Sequence, residues 1–357
     1  MIKKQSTLLI AAALIFALFS GCNTGTTNDA ASPNPSETAP QSSVSMSEAA
    51  SENETPPANS GSNGSAGLIA DGIPAVYMTT DISPEGLMAV YQALGASPEG
   101  RVAVKITTGE PPNSNYLRPE LIVDLVQMLD GTFVESNTAY GGPRASNAMH
   151  LQVAEDHGFT AIANFDLQDA DGEISLPVFG GEILAENFVG ITFPDYDYYV
   201  VLSHFKGHAM AGYGGAIKNI SIGIASSSGK AWIHTGGTSR TGFSGNQDSF
   251  LMAMAEAGKS VVDYLDGNIL YINVMNRLSV DCDCVGNPAE PDMHDIGILA
   301  SFDPVALDQA CIDLVAAASD GASLMERINS RNGTLTIDHA ETIGLGSKQY
   351  VLVSVDN

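Results

Sequence analysis

Two histidines four positions apart, His204 and His208, stand in the stretch SHFKGHAMAGYGGAIKN (203–219) beside Lys206, Lys218 and four glycines. On a helix that spacing puts both imidazoles on one face, a common half-site for a transition metal. Gly207 and the apolar run ahead of it favour a loop instead, where the same rings would hydrogen-bond backbone at a turn. A second stretch, DCDC (281–284), sets two thiols among two carboxylates. Cys-x-Cys ligates a soft metal, closes into a local disulfide, or does neither, and two thiols alone do not hold a four-iron cluster. With His234 and His294 added, the candidate metal set is His204, His208, His234, Cys282, Cys284 and His294, and zinc or iron suits such donors. Asp292 and Asp295 are further candidate ligands. Asp303 reads instead as the cap of a helix beginning at Pro304.

The cations add a second chemistry. Lys105, Arg118, Arg144, Lys206, Lys218 and Lys230, six of the fifteen basic residues, fall in glycine-, histidine- or turn-rich segments. In a chain with 41 acidic residues they point to a pocket for a carboxylate or phosphate, with plain ion pairing as the alternative. Gly214 and Gly215 would let backbone N–H groups approach an anion next to Lys218 and Asn219. The cluster GYGGA (212–216) matches neither mononucleotide nor dinucleotide glycine loops. His-Glu-x-x-His is absent, and GFSGN (242–246) fails the serine-hydrolase elbow at Asn246.

The elements that must position these residues alternate. Strand-like runs at 101–107, 132–136, 197–205 and 268–275 are interleaved with helical patterns at 118–129, 144–158 and 246–265. The segment DIGILASF (295–302) and a helix over 303–318 follow. Several strands are apolar throughout, which predicts an α/β fold: a largely parallel sheet flanked by helices. Ligands in such folds bind at the carboxyl ends of strands. The loops after 101–107, 197–205 and 268–275 are therefore expected to share one edge. On that basis His204, His208 and at least one of His234, Cys282, Cys284 or His294 should converge, with Lys206 or Lys218 beside them.

A net charge of −26 disfavours nucleic acid and anionic lipid surfaces as partners. Lys3, Lys4 and the apolar run LLIAAALIFALF (8–19) have the form of a signal peptide, and FSGC places small residues directly before Cys22. This resembles the lipobox of bacterial lipoproteins, with Phe19 where that pattern more often has Leu. It implies a leader over 1–21, lipidation at Cys22 and an extracytoplasmic protein held to the membrane by lipid. Residues 22–72, rich in Ser, Pro, Asn and Glu, read as a disordered tether, and 73–357 as the folded domain. Three remaining cysteines are too few for a disulfide scaffold.

The motifs NYLRPEL (115–121), TAYGGPR (138–144) with His150 and HGF (157–159), LSHFKGHAMAGYGGAIKNISIG (202–223), GK (229–230) with His234, and DCDC…DIGILASFDPVALDQA (281–310) together resemble domain-of-unknown-function family 362. The resemblance covers about residues 76–320, in order. Members are often labelled iron–sulfur centre proteins, and many carry a two-cluster ferredoxin insert after the segment matching His234. Here 235–250 holds no cysteine, so no iron–sulfur cluster is expected. What the resemblance leaves is a core domain of unknown activity. Two functions are carried forward: a metal-dependent enzyme or redox protein acting on a small anionic ligand, and a non-catalytic lipoprotein that captures a metal or anionic solute.

Overall fold

The computed structural model describes residues 72–356; the leader, Cys22 and all of the tether but Gly72 lie outside them. The strands are β1 (Ala75–Thr79), β2 (Val102–Lys105), β3 (Thr132–Glu135), β4 (Phe165–Leu167), β5 (Glu173–Pro177), β6 (Glu186–Gly190), β7 (Tyr198–His204), β8 (Lys206–His208), β9 (Gly212–Gly214), β10 (Ile269–Met275), β11 (Gly297–Ser301) and β12 (Val351–Ser354). Eight of them form one sheet in the order β12-β1-β11-β10-β7-β2-β3-β4. Every pairing is parallel except those of β11, which runs against both β1 and β10. The largely parallel α/β sheet expected from the sequence is present. β5 with β6 and β8 with β9 form separate antiparallel pairs.

The central strands are apolar on both faces because both faces are covered. Along β7, Tyr198, Val200 and Leu202 enter one core while Tyr199 and Val201 enter the other. Helices α1 (Pro84–Leu94) and α2 (Pro119–Met128) close the first face; α3 (Asn147–Asp156) follows β3. The second face is closed by the short α4 (Ala216–Lys218), by α6 (Gln247–Leu265), which also packs on α5 (Ser227–His234), and by α7 (Pro304–Ala317), α8 (Ala322–Ser330) and α9 (Leu335–Thr342). Each fully buried Leu, Ile or Val contributes roughly 1.5–3 kcal/mol to holding these layers. Helix ends follow local chemistry: Asp303 accepts from the amides of Val305 and Ala306 at 2.8 and 2.9 Å, as expected, and Pro304 opens α7. No helix among the described residues is long and apolar enough to cross a membrane.

Chain order places the site. β2, β3 and β4 step outward in one direction, whereas β7 and β10 step in the other, so the sheet order reverses between β2 and β7. The crevice beyond the carboxyl ends at such a switch is where open α/β sheets bind ligands. Two close approaches then fix the loops above it. A Cβ on Gly207 would lie 2.3 Å from the carbonyl oxygen of Val280, so only glycine lets β8 lie against the cysteine loop. At Gly215 a Cβ would lie 2.3 Å from the Asp308 carboxylate, which accepts from the amides of Ala216 and Ile217 at 2.7 and 3.0 Å and from Asn273 at 2.8 Å. Burial pushes Asp308 up to about 6 while these bonds oppose the rise. The chain then continues from α4 into a π-helical turn, Asn219–Gly223, a form that recurs at functional sites.

Candidate functional site

Above the carboxyl ends of β2, β3, β7 and β10 lies a cavity of about 420 Å³. Its cations are Lys105 from the end of β2, Lys218 from α4, Lys230 from α5 and Arg144 from the loop after β3.

Three of these cations have no carboxylate bonded to them. The Lys105 ammonium donates to the Ile106 carbonyl at 2.5 Å and to Asn219 Oδ1 at 3.0 Å. Asn219 is held in turn by donating to the Leu202 carbonyl and the Ser203 hydroxyl, both at 3.1 Å. Lys230 donates to the carbonyls of Ala225 and Ser136. Lys218 has no hydrogen-bond or ion-pair partner among the described residues. Burial pulls Lys105 down to about 7 against the pull of Glu135, and the neighbouring cations push it the same way as burial. Burial and nearby cations likewise bring Lys218 and Lys230 down to about 8.

Other buried charges around the cavity are neutralised. Arg144 bonds Glu110 and Glu135, each at 2.9 Å, and donates to the Tyr140 hydroxyl at 2.9 Å. Glu135 also meets His150 at 3.1 Å and accepts from the amide of Thr108. Burial pushes Glu135 up, but His150, Arg144 and Lys105 outweigh it and hold the carboxyl far below its usual range. Asp283, between the two cysteines, meets His204 at 2.9 Å and Lys206 at 2.6 Å. Burial acts against its charge, yet these two partners bring it down to about 2.

The histidines differ in what they leave free. His204 faces Asp283 with Nδ1 and the Asn276 carbonyl with Nε2 at 2.8 Å, so both ring nitrogens are engaged. In His208, Nδ1 accepts from the amides of Met210 and Ala211 at 3.2 and 2.9 Å. Burial, then Lys218, holds His208 well below its ordinary value, so the ring is neutral with its hydrogen on Nε2. His234 is the converse: Nδ1 donates to the Lys230 carbonyl at 2.6 Å, leaving a lone pair on Nε2. Burial pulls it down to about 4, and its ring stacks on Phe250 with centroids 4.6 Å apart.

Cys282 and Cys284 are joined as a disulfide on the cavity wall. A ring nitrogen of His208 and the two sulfurs lie within 4.8 Å of one another. The six-residue metal set nonetheless does not assemble as this structure stands. The sulfurs are bonded to each other and are not thiolates, His204 has no free nitrogen, and the His208 lone pair faces backbone amides.

Of the residues expected from sequence, His204, His208, His234, Cys282, Cys284, Lys105, Arg144, Gly214, Gly215, Lys218 and Asn219 line the one cavity. Five others do not join them, and of these Asp292 is exposed. His294 is on the surface, paired with Asp320 at 2.8 Å; its loop leads into β11, the strand that runs the other way. Lys206 turns away into the Asp283 pair and the Asn115 carbonyl. Arg118 stacks over Tyr116 at 4.4 Å and bonds the Ser114 carbonyl. Asp295 accepts from the Arg277 amide at 2.6 Å, a structural contact in its own loop. Sequence reasoning passed over Glu135, Tyr140 and Asp283. Glu135 was accessible as the last residue of a strand whose carboxyl end faces the crevice, and Asp283 as the carboxylate enclosed by the two cysteines.

The sequence profile described as "Domain of unknown function (DUF362)" matches residues 102–313, more than half of the chain. Two solved structures are distantly similar. The lactate racemase apoprotein from Thermoanaerobacterium thermosaccharolyticum is 14% identical over 56% of this chain and 50% of its own, with a TM-score of 0.37. A protein from Thermotoga maritima is 14% identical over 64% of this chain and 57% of its own, with a TM-score of 0.39. The chain thus spans little more than half the length of either, and a likeness this distant carries no argument about chemistry. No curated protein matches the chain.

Proposed function

We propose that this chain, which belongs to the DUF362 family, binds a small organic anion, a carboxylate or phosphate, in the cavity at the sheet's switch point. One observation carries the reading: Lys218 lines the cavity with no partner, in the company of two more ammonium groups that no carboxylate bonds. Holding three such cations together is costly, and an anion supplies the absent counter-charge through charge-assisted hydrogen bonds.

Between an enzyme and a passive carrier, the groups beside that cavity favour the enzyme. Lys105, brought to about 7, can give or take a proton near neutral pH, and the His234 Nε2 lone pair, on a ring that stays neutral down to about 4, is a hydrogen-bond acceptor lining the same cavity. Calorimetric titration of the purified protein with succinate, citrate, inorganic phosphate and a phosphate monoester is the test. At least one should bind to the wild type and to Lys218→Arg, and weakly or not at all to Lys218→Met. Flat titrations throughout would sink the proposal.

A metal reading is supported by one observation, the proximity of His208, Cys282 and Cys284, and it belongs to the reduced pair alone. Two thiolates beside the His208 ring would suit zinc or iron, and tag-free protein reduced before metal analysis tests it. For the residues outside the described range, we propose lipidation at Cys22 and an extracytoplasmic, membrane-held protein. Cys22→Ala should then release it from the membrane fraction or leave it unprocessed.

A further inference from the structure

We infer that Cys282 and Cys284 form a redox-active pair that exchanges with a small thiol carrying a carboxylate or phosphate, bound in the cationic cavity beside it. This rests on the anion-binding reading above and adds a reaction to it.

Three observations carry it. First, the bridge spans a single residue, and closing so short a loop removes little freedom from the unfolded chain. Second, its loop is already fixed by other means. Asp283 is clamped by His204 and Lys206, its carbonyl accepts from the Glu110 amide at 2.8 Å, and the Ser279 carbonyl accepts from the Gly207 amide at 2.9 Å. Neither stability nor shape accounts for the bond. Third, both cysteines line the cavity that Lys218, Lys105 and Lys230 make cationic, with His208 against the sulfurs. An anionic thiol held by the lysines would therefore arrive at the disulfide, and a thiolate released there would find positive charge and an N–H donor around it.

The chemistry balances within the two partners. A substrate thiolate attacks one sulfur of the pair; the Cys282–Cys284 bond breaks as a substrate–cysteine bond forms, and the other cysteine departs as a thiolate. A second substrate thiolate attacks the mixed disulfide, releasing the substrate disulfide and the reduced pair. Two electrons pass from two thiols to the protein, and the reverse sequence with an anionic disulfide re-oxidises it.

The test uses the full chain purified in air. Alkylation and non-reducing peptide mapping should find 282 and 284 joined. Reduction is then followed with mercaptosuccinate and with 2-mercaptoethanol at matched thiolate concentration and about 0.15 M salt, where a Debye length of about 8 Å screens the chain's distant negative charges but not a lysine in contact. Mercaptosuccinate should react faster by about tenfold or more, a typical local electrostatic gain. Lys218→Met should bring the two rates together, and Cys284→Ser should trap a mixed disulfide with the oxidised anionic thiol. Free thiols in the air-purified protein, or equal rates for the two reductants, would overturn the inference. If any of the four anions titrated above still binds in that case, only the exchange reaction is lost. If none binds, the anion site falls with it.

Discussion

Two banks of buried polar side chains lie in and behind the wall of the same cavity and are built on opposite principles. Arg144, His204 and Lys206 each meet a carboxylate within 2.6–2.9 Å. Lys105 and Lys230 meet only neutral oxygens, and Lys218 meets none among the described residues. The first bank is architecture: its charges cancel and hold the loops after β2, β3 and β10. The second is left unbalanced in a chain with carboxylates to spare, 41 of them against fifteen basic residues. Acidic partners were available and were not placed there, so the imbalance marks the binding surface.

The sharpest way to break this comparison is to treat an architectural charge as a binding one. Asp283→Ala leaves Lys206 and His204 buried without their carboxylate, and should destabilise the fold by roughly 3–5 kcal/mol in denaturant titration. A loss under about 1 kcal/mol would mean the bank is not architectural, since even surface pairs reach that value. Lys218→Met should do the reverse. Removing an unbalanced cation should raise stability by on the order of 1 kcal/mol, while anion affinity falls about 10- to 100-fold, the worth of one charge-assisted bond. A variant both less stable and equally able to bind would place Lys218 in the wrong bank.

Acidity separates the banks next. The three lysines are lowered in the fold to about 7 and 8 from an ordinary value of 10.5, so between pH 7 and about 10 the unfolded chain holds more protons. Stability without ligand should therefore gain from these groups as pH rises through that window, and the gain should be smaller in Lys218→Met. Anion affinity should move the other way, falling as the ammonium groups deprotonate above about pH 7–8. Calorimetry in buffers of different ionisation enthalpy should show proton uptake on binding. The smallest effect belongs to neither bank: His294→Ala, at the surface with Asp320, should change neither melting temperature nor anion affinity measurably.

The fold was legible because its signals are local and repeated. Runs apolar on both faces, such as 198–202 of β7 and 269–272 of β10, are what strands covered on both sides require, and Asp303-Pro304 announces its helix. From parallel topology alone the loops after 105, 204 and 275 could be sent to one edge, and they meet there. What stayed hidden depends on which way side chains turn. KGHAMAGYG has no alternation that would betray β8 and β9, because this hairpin is held by close glycine contacts instead. Lys206 and Lys218 look equivalent in sequence, yet one turns into a carboxylate and the other into the cavity. The same limit applies to His204: its spacing from His208 suggests a shared ligand, whereas Asp283 and the Asn276 carbonyl occupy both its nitrogens.

The reversal of strand order between β2 and β7 also has a temporal meaning. Lys105 and Asn219 touch across 114 positions of chain, and β1 is flanked by β11 and β12, from the far end of the sequence. The middle of the sheet cannot close until β7 reaches β2, and contacts this distant in sequence form slowly. The crowded ammonium groups therefore meet only after a separation of more than a hundred positions has been closed. Their repulsion weighs on the finished protein rather than on the route to it, so it hastens escape from the native state and barely delays arrival. An anion that settles among them works as a clasp: it lengthens the lifetime of a structure that had to be completed before there was anything to fasten.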